Sequence, residues 1–409
     1  MRLPNRSKTI FLLLFLASLV AIALPAGAAT TQPAPSAVAN TPYYGTPPPP
    51  FTSPADVYSG ISGPGAPITG DGGGGYTSGQ NGVQYSGPNP KPGWKINPAI
   101  ATGSAVKDGL LPNLRPIWEL HLRDTIICLG GDGNYYMTGS SGDNIWDRND
   151  GIELWRSADL QKWDYLGLVW SVEKDGTWQK QWRYVHEHPA RDVWAPEIHY
   201  IKNNYYLAMC MAGGAGSGIL VSTTGKPEGP YKSPLVPDTR IASGIDATLF
   251  QDDDGKVYFT NRGAQMIYLM KDDMSGLDGP GHPIEFEPPT DGSWTRNSIA
   301  EEGASLFKHN GKYYLGGAAH LTPKRRYSSV VAISDNIYGP YKQWHEAVPC
   351  GGGGNYFQDK SGKWFCTLFG NDAASTWREK PGLVQIDFAA DGRIVVAKDQ
   401  PGFLLQKGN

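Results

Sequence analysis

The chain of 409 residues has a formal net charge of −3, and removal of its basic N-terminus would make that charge more negative. A balance of this sign argues against nucleic acid or an anionic membrane surface as the partner. The length allows two or three average domains, or one large all-β unit preceded by a segment that does not fold.

The N-terminus has the three parts of a secretory signal peptide. The apolar run from Ile10 to Leu24 follows three basic residues and precedes the small-residue site Ala26-Gly27-Ala28. We therefore expect cleavage after Ala28 and a secreted or periplasmic protein. No later segment has the roughly 18 apolar residues that a membrane-spanning helix needs, so no membrane span is expected.

Residues 29–95 are predicted to form a disordered linker. The stretch from Thr31 to Gly93 holds 13 Pro and 13 Gly but only three charged residues, so it cannot bury enough apolar surface to fold. A wall-spanning spacer and a tail without function fit this composition equally well. The remaining residues, 96–409, are expected to form one domain.

The cysteines give no sign of a metal site. Their positions are scattered and lack C-x-x-C spacing: Cys128, Cys210, Cys350 and Cys366. A zinc site is therefore not predicted. Export permits disulfides that the sequence cannot pair, and buried free thiols are at least as well supported. No cofactor is expected.

Past residue 120 the chain repeats a turn followed by an aromatic pair. The intervals between copies are 70, 53, 55 and 51 residues, and the pairs begin at Tyr135, Tyr205, Tyr258, Tyr313 and Trp364. A period near 50 with several short strands per unit is typical of propeller blades. The sequence thus predicts an all-β, five-bladed β-propeller. The long first interval contains an insertion, 177–192, that we expect to form a loop beside a binding site.

Three of the five repeats have a carboxyl group at the start of the first strand: Asp124, Asp246 and Glu302. Because the first strand of each blade lines the central channel, these acids should occupy one structural position and meet at one mouth of the channel. Neighbouring acids in a partly dry pocket separate their pKa values, and glycosidic bond cleavage needs such a pair. The alternative, turn capping or pairing with an arginine such as Arg123, is favoured for one acid but not for three in phase.

At these residues the chain resembles glycoside hydrolase family 43, five-bladed propellers that act on arabinose-, xylose- and some galactose-containing glycans. The resemblance runs from about Arg123 to Phe388 and rests on four segments in the family's order: Leu122-Arg-Asp-Thr125, Trp194-Ala-Pro-Glu-Ile198, Gly244-Ile-Asp-Ala247 and Glu302-Gly-Ala304. It implies an inverting mechanism with Asp124 as general base and Glu302 as general acid. Asp246 would tune the pKa of that acid and hold its orientation. The neighbour Glu301 should point to the opposite face of the strand.

The resemblance also suggests residues that bind sugar. Trp194 and Trp146 could stack on a sugar face, although a tryptophan in an all-β fold is more often part of the core. Arg378 could lie near the sugar or the acid, or form a surface ion pair. His320 could border the pocket or be an ordinary, partly buried histidine. Glu197 is interpreted as structural.

The chain departs from the family pattern in the fifth blade. Relatives often have a histidine where this chain has Gly353, and in some members that histidine helps to hold an ion. A bound metal is therefore not expected here. The three acids remain, so the departure does not by itself argue against catalysis.

The leading hypothesis is a secreted, inverting, exo-acting glycosidase whose carbohydrate substrates are plant-type polysaccharides or oligosaccharides, from which it removes α-L-arabinofuranosyl or β-D-xylosyl units. A β-D-galactofuranosidase or galactosidase of the same family is the nearest alternative. A retaining fructan-type hydrolase is disfavoured, since its acid is typically followed by Cys and Glu302 is followed by Gly303. A non-catalytic carbohydrate-binding propeller and a structural platform are further alternatives. The oligomeric state is not predicted.

Overall fold

The computed structural model describes residues 83–84, 95–96, 111–119, 121–141, 149–185, 193–211, 215–261, 263–321, 326–371 and 375–406. The predicted signal peptide, nearly all of the predicted linker and Trp146 lie outside these ranges. Across the described residues, no helix combines the length and apolar character that crossing a bilayer requires.

Twenty strands of the described chain form five antiparallel sheets of four strands each, which we number as blades I to V. Blade I comprises β3 (Arg123–Leu129), β4 (Tyr135–Ser140), β5 (Gly151–Ser157) and β6 (Asp164–Ser171). Blade II comprises β7 (Val193–Ile201), β8 (Asn204–Met211), β9 (Gly216–Ser222) and β10 (Tyr231–Lys232). Blade III comprises β11 (Thr248–Gln251), β12 (Val257–Asn261), β13 (Met266–Leu269) and β14 (His282–Pro283). The order of strands within every sheet follows the chain.

Blade IV comprises β15 (Glu302–His309), β16 (Lys312–Leu321), β17 (Arg326–Ser334) and β18 (Lys342–Val348). Blade V comprises β19 (Tyr356–Gln358), β20 (Trp364–Leu368), β21 (Gly382–Phe388) and β22 (Ile394–Val396). The first strands of the blades contact one another around the centre, β3 with β7 and β19, and β11 with β7 and β15. The predicted five-bladed propeller is confirmed. Apart from the blades, β1 (Val83–Gln84) pairs with β2 (Lys95–Ile96).

The repeated aromatic pairs lie at or near the start of the second strand in every blade and fill the space between blades. Tyr136 of blade I meets Tyr205 of blade II edge to face, with ring centroids 5.5 Å apart. Tyr135 meets Phe357 of blade V at 6.2 Å. Because each sheet is covered on both faces by its neighbours, strands such as β4 are buried along their whole length. The core therefore consists of layers between blades, and the spacing of the aromatic pairs reports the spacing of the blades.

The insertion in the first interval differs from the expected loop. It contains the helix α2 (Trp178–Val185), preceded by the short helix α1 (Val172–Asp175), which Ser171 caps. Trp178 and Trp182 pack against the core between blades I and II. A short helix is stabilised when its apolar stripe packs against strands that are already formed. Such a helix is too short to give a long periodic pattern in the sequence. All four cysteines are free thiols.

The ring of blades is closed by the segment that precedes blade I and the segment that follows blade V. Leu114, before blade I, forms an antiparallel bridge with Leu405, which follows the short 3-10 helix Gly402–Leu404. The N–H of Arg115 donates to the carbonyl of Leu404 at 2.9 Å. Leu404 is 3% exposed and belongs to the same core cluster as residues of blades I, IV and V. We call these two paired segments the clasp, and packing between the first and last blades depends on it.

Replacement of Leu404 by alanine should destabilise the propeller by about 3 kcal/mol, because it removes a buried side chain from a packed site. Leu168→Ala, at a position that is 41% exposed, is the matched control and should change stability by less than about 1 kcal/mol. Urea unfolding followed by tryptophan fluorescence measures both. Equal losses for the two variants would show that the clasp does not support the ring.

Candidate active site

A pocket of about 70 Å³ opens where the innermost strands begin, and all five blades contribute to its wall. Carboxyl groups dominate its polar surface, with one guanidinium among them: Asp124, Glu197, Asp246, Glu302 and Arg123. Trp194, Ile245 and Tyr327 supply apolar surface. The structure therefore brings the three predicted catalytic acids together at one mouth of the channel.

The alignment of the repeats predicted one shared backbone position for the three acids. In the structure Asp124 and Asp246 share a position, and Glu302 does not. In each blade one residue near the start of the first strand is left-handed, with φ between 43° and 73°: Asp124, Ala195, Asp246, Gly303 and Gly353. A register shift marks a β-bulge at this position in blades I, II and IV. Glu302 thus lies one residue before the position shared by Asp124 and Asp246. Its counterparts, Arg123 and Trp194, also line the pocket, so the bulge turns two adjacent residues towards the channel.

Asp124 is held by blade I and, through a hydroxyl, by blade II. The Ser140 hydroxyl donates to Asp124 Oδ2 at 2.5 Å. The backbone N–H of Ala195 donates to the same Ser140 oxygen at 2.7 Å. Burial raises the pKa of Asp124 to about 6; Glu302 pushes it the same way, while Arg123 and Ser140 oppose the rise. This carboxyl can therefore exchange a proton near neutral pH.

Asp246 is held by the backbone of the next blade. The N–H of Gly303 donates to Asp246 Oδ2 at 2.7 Å. Burial, together with the negative charges of Asp124 and Glu302, raises the pKa of Asp246 well above its ordinary value. A carboxyl with this environment stays protonated when its neighbour is ionised. Its bond to Gly303 also fixes the backbone next to Glu302.

Glu302 contacts a buried tyrosine of its own blade. The Tyr327 hydroxyl donates to Glu302 Oε1 at 2.8 Å. Burial, and then the charge of Glu302, raises the pKa of Tyr327 well above its ordinary value, so the phenol remains a donor. The neighbour Glu301 instead lies 2.6 Å from Arg296 and 2.8 Å from His320, and it is not among the pocket residues. Of the two glutamates, Glu302 therefore lines the pocket and Glu301 does not.

Arg123 provides the positive charge of the pocket. Its side chain is almost fully buried, 3.6 Å from Glu379 and with the guanidinium 4.4 Å above the centre of the Phe369 ring. His121 Nε2 lies 3.2 Å from the other oxygen of Glu379. Burial acts to raise the pKa of Glu379, but Arg123 and His121 hold it below its ordinary value. The blade V carboxylate therefore stabilises the arginine that faces Asp124.

Of the predicted sugar-binding residues, the structure brings only Trp194 to the described pocket. His320 bonds Glu301, its ring lies 5.0 Å from that of Tyr327, and it is not among the described lining residues. Arg378 is half-buried in blade V and is not among the described lining residues. Trp146 lies outside the described residues.

Two carboxyl groups at or near the pocket were not assigned to it from sequence. Glu197, interpreted as structural, lines the pocket, and its carboxylate lies 2.9 Å from His199 Nε2. Glu379 directly follows Arg378, which was predicted to bind sugar, but Glu379 itself does not belong to the repeated pattern. The only sequence clue to Glu197 is its place in the Trp-Ala-Pro-Glu segment, three residues after Trp194.

Gly353 of blade V borders the pocket without a side chain. A Cβ at this position would lie 2.4 Å from the Phe369 ring and 3.2 Å from Asp124 Oδ1. Phe369 thus fills the space that a side chain at residue 353 would need. The residues present do not fit the ion associated with a histidine here, and no cluster of three or more His, Cys, Asp or Glu within the described ranges is arranged to hold a metal.

Glycoside cleavage uses a pair of carboxyl groups held on a rigid scaffold, and a propeller whose pocket brings three acids together belongs to the class of folds that can supply them. The model of glycosyl hydrolases family 43 matches residues 114–394. The chain belongs to this family.

Individual relatives match over part of their length. A β-D-galactofuranosidase of Aspergillus niger is 31% identical over 167 residues, which cover 37% of this chain and 46% of that protein. A xylosidase/arabinosidase of Butyrivibrio fibrisolvens is 26% identical over 246 residues, covering 57% and 43%. The matches therefore span less than half the length of these two relatives.

Solved structures share the fold. A xylan β-1,4-xylosidase of Bacillus halodurans has a TM-score of 0.51 at 20% identity, covering 73% of this chain and 60% of that one. An exo-1,5-α-L-arabinanase from a bovine ruminal metagenomic library has a TM-score of 0.50 at 18% identity, covering 68% and 97%. At these identities the likeness concerns the propeller alone.

Ionised Asp124 should cost the folded protein stability. A carboxyl whose pKa is raised in the folded state stabilises most below its unfolded pKa of about 4, and that contribution is lost as the pH rises through about 6. Asp124→Asn, which imitates the protonated acid, should therefore stabilise the protein by about 2 kcal/mol at pH 7.5 and by little at pH 4. Thermal unfolding at both pH values measures this.

Asp272→Asn is the control, because the Asp272 side chain is 96% exposed. It should leave the melting temperature unchanged at both pH values. A loss of stability in Asp124→Asn at pH 7.5 would contradict the raised pKa.

Proposed function

We propose that the protein is an inverting, exo-acting glycosidase that removes terminal α-L-arabinofuranosyl or β-D-xylosyl units. The observation that carries this proposal is the meeting of Asp124, Asp246 and Glu302 from three blades in one pocket. Membership of family 43 supports hydrolysis of glycosidic bonds, and the xylosidase/arabinosidase relative supports the choice of sugars.

The reaction would proceed in a single displacement. Asp124 takes a proton from water as the water oxygen bonds to the anomeric carbon, while the bond from that carbon to the leaving oxygen breaks. Glu302 gives its proton to the leaving oxygen. Asp246, kept neutral by burial and by its acidic neighbours, holds the Gly303 backbone beside the acid. Arg123 balances the charge of ionised Asp124.

A β-D-galactofuranosyl substrate is the second candidate. It is favoured by the Aspergillus niger relative, whose identity of 31% is above that of the xylosidase/arabinosidase. The same acids would act, and the difference would lie in how the pocket walls contact the sugar hydroxyls.

Hydrolysis of nitrophenyl α-L-arabinofuranoside, β-D-xyloside, β-D-galactofuranoside and β-D-galactoside tests the reaction and names the sugar. We expect one substrate to be cleaved, and Asp124→Asn and Glu302→Gln each to lower kcat/KM by about 10³-fold or more. Glu301→Gln should lower it less than about tenfold, because that carboxyl pairs with Arg296 and His320 instead. Binding of sugar without cleavage of any substrate would favour a lectin-like propeller.

The stereochemical course is read from the first product by proton NMR. Inversion at the anomeric carbon is expected, and initial retention would overturn the single-displacement mechanism in favour of a covalent intermediate.

The acid limb of the pH profile of kcat/KM should follow the ionisation of Asp124. Since the base must be ionised, kcat/KM should fall below a midpoint near pH 6, with a slope approaching one. Steady-state rates between pH 4 and 9 measure it. A profile that stays flat down to pH 4.5 would remove Asp124 from the role of base.

A further inference from the structure

Each of the two proposed reacting carboxyls accepts a hydrogen bond from one buried hydroxyl. Ser140 serves Asp124 and Tyr327 serves Glu302, at 2.5 and 2.8 Å. The two hydroxyl residues are 3% and 0% exposed. Neither belongs to the segments that suggested a function from sequence.

The direction of the Ser140 bond is set by blade II. Its oxygen already accepts the N–H of Ala195, a group that cannot reverse its role. The hydroxyl hydrogen is therefore directed to Asp124 Oδ2, and the orientation of the carboxyl is fixed from two blades. Oδ1, the other oxygen, lies on the side of Gly353.

The direction of the Tyr327 bond is set by burial. Its ring is packed between those of His320 and Phe369, at centroid distances of 5.0 and 5.4 Å. The phenol remains protonated, and its hydrogen is donated to Glu302 Oε1. Oε2 is then the oxygen on which a transferable proton would sit.

The charged groups around the two carboxyls are largely shared. Asp124 faces Arg123, Glu302, Asp246 and Glu379. Glu302 faces Asp124, Asp246 and Arg123. A change in the charge of Arg123 or Asp246 would act on both carboxyls, whereas each hydroxyl donates its hydrogen bond to one of them.

We propose that Ser140 and Tyr327 are positioning residues, each of which fixes one oxygen of a reacting carboxyl and leaves the second oxygen to the reaction. The proposal rests on the hydrolytic function proposed above. It assigns Ser140 to the base and Tyr327 to the acid.

The two hydroxyls can be separated by the pH profile of kcat/KM and by its dependence on the leaving group. Loss of a hydrogen bond to a carboxylate raises its pKa, by about one unit for the bond from Ser140 to Asp124. Ser140→Ala should therefore move the acid limb up by about one pH unit and should act alike on good and poor leaving groups. Tyr327→Phe should leave the acid limb in place, but it should lower kcat/KM about tenfold more for an alkyl glycoside, whose leaving oxygen needs a proton, than for the nitrophenyl glycoside.

Matched controls exist for both variants. Ser157 is a buried serine that bonds the carboxylate of Asp159 away from the pocket, and Tyr341 is a buried tyrosine that bonds a backbone carbonyl. Ser157→Ala and Tyr341→Phe should change neither the acid limb nor the dependence on the leaving group. Ser140→Thr keeps the hydroxyl and should keep the acid limb in place. A uniform loss of rate, with the acid limb unmoved and the dependence on the leaving group unchanged, would reduce the two residues to a structural role and overturn the proposal.

A second measurement does not need turnover. In the wild-type background, Ser140→Ala should lower the melting temperature more at pH 8 than at pH 4, because ionised Asp124 loses its donor. In the Asp124→Asn background this pH dependence should vanish. If it persists there, the bond to Asp124 is not its source and the proposal fails. If this double-mutant cycle of Ser140→Ala and Asp124→Asn gives the expected result but no glycoside is hydrolysed, the proposed function fails. The role of Ser140 in holding Asp124 then still stands.

Discussion

The site depends on backbone N–H groups that reach from one blade to the next. Gly303 of blade IV donates to Asp246 of blade III, and Ala195 of blade II donates through Ser140 to Asp124 of blade I. Both donors occupy the left-handed position near the start of the first strand. A bulge leaves a residue outside the regular ladder, which frees its N–H for the neighbouring blade. The local departure from ideal strand geometry is therefore what connects the acids to the scaffold.

The same region concentrates charge where water is largely excluded. Four carboxyls and one guanidinium line the pocket, and the cost of burial raises the pKa values of Asp124 and Asp246. The chain does not remove this cost by pairing every acid with a base. It places one buried arginine, supported by Glu379, beside Asp124 and leaves Asp246 among acids. This arrangement lowers the stability of the folded protein. In return, neighbouring carboxyls differ in protonation at the same pH.

The sequence predicted the fold better than the details of the site, for a physical reason. The aromatic pairs recur because every interface between blades must be filled, so their spacing gives the number of blades. The acids were found because they recur near the heads of innermost strands. The bulge was not visible, so Glu302 was assigned to the position that Gly303 occupies. Ser140 and Tyr327 lie at distant points of other strands and reach the acids only through the register of the sheets, which single-sequence patterns do not contain.

The blades share an architecture but divide the chemistry among themselves. Blades I, III and IV supply the three acids in question, whereas blade II supplies Trp194 and the N–H of Ala195. In blade V, Gly353 has no side chain, and the space that a Cβ would take is filled by Phe369, whose ring lies 4.4 Å from the Arg123 guanidinium. If residue 353 had a Cβ, Phe369 would have to move, and the surface that supports the guanidinium would move with it. The departure in the fifth blade is thus part of how this chain holds Arg123 beside Asp124.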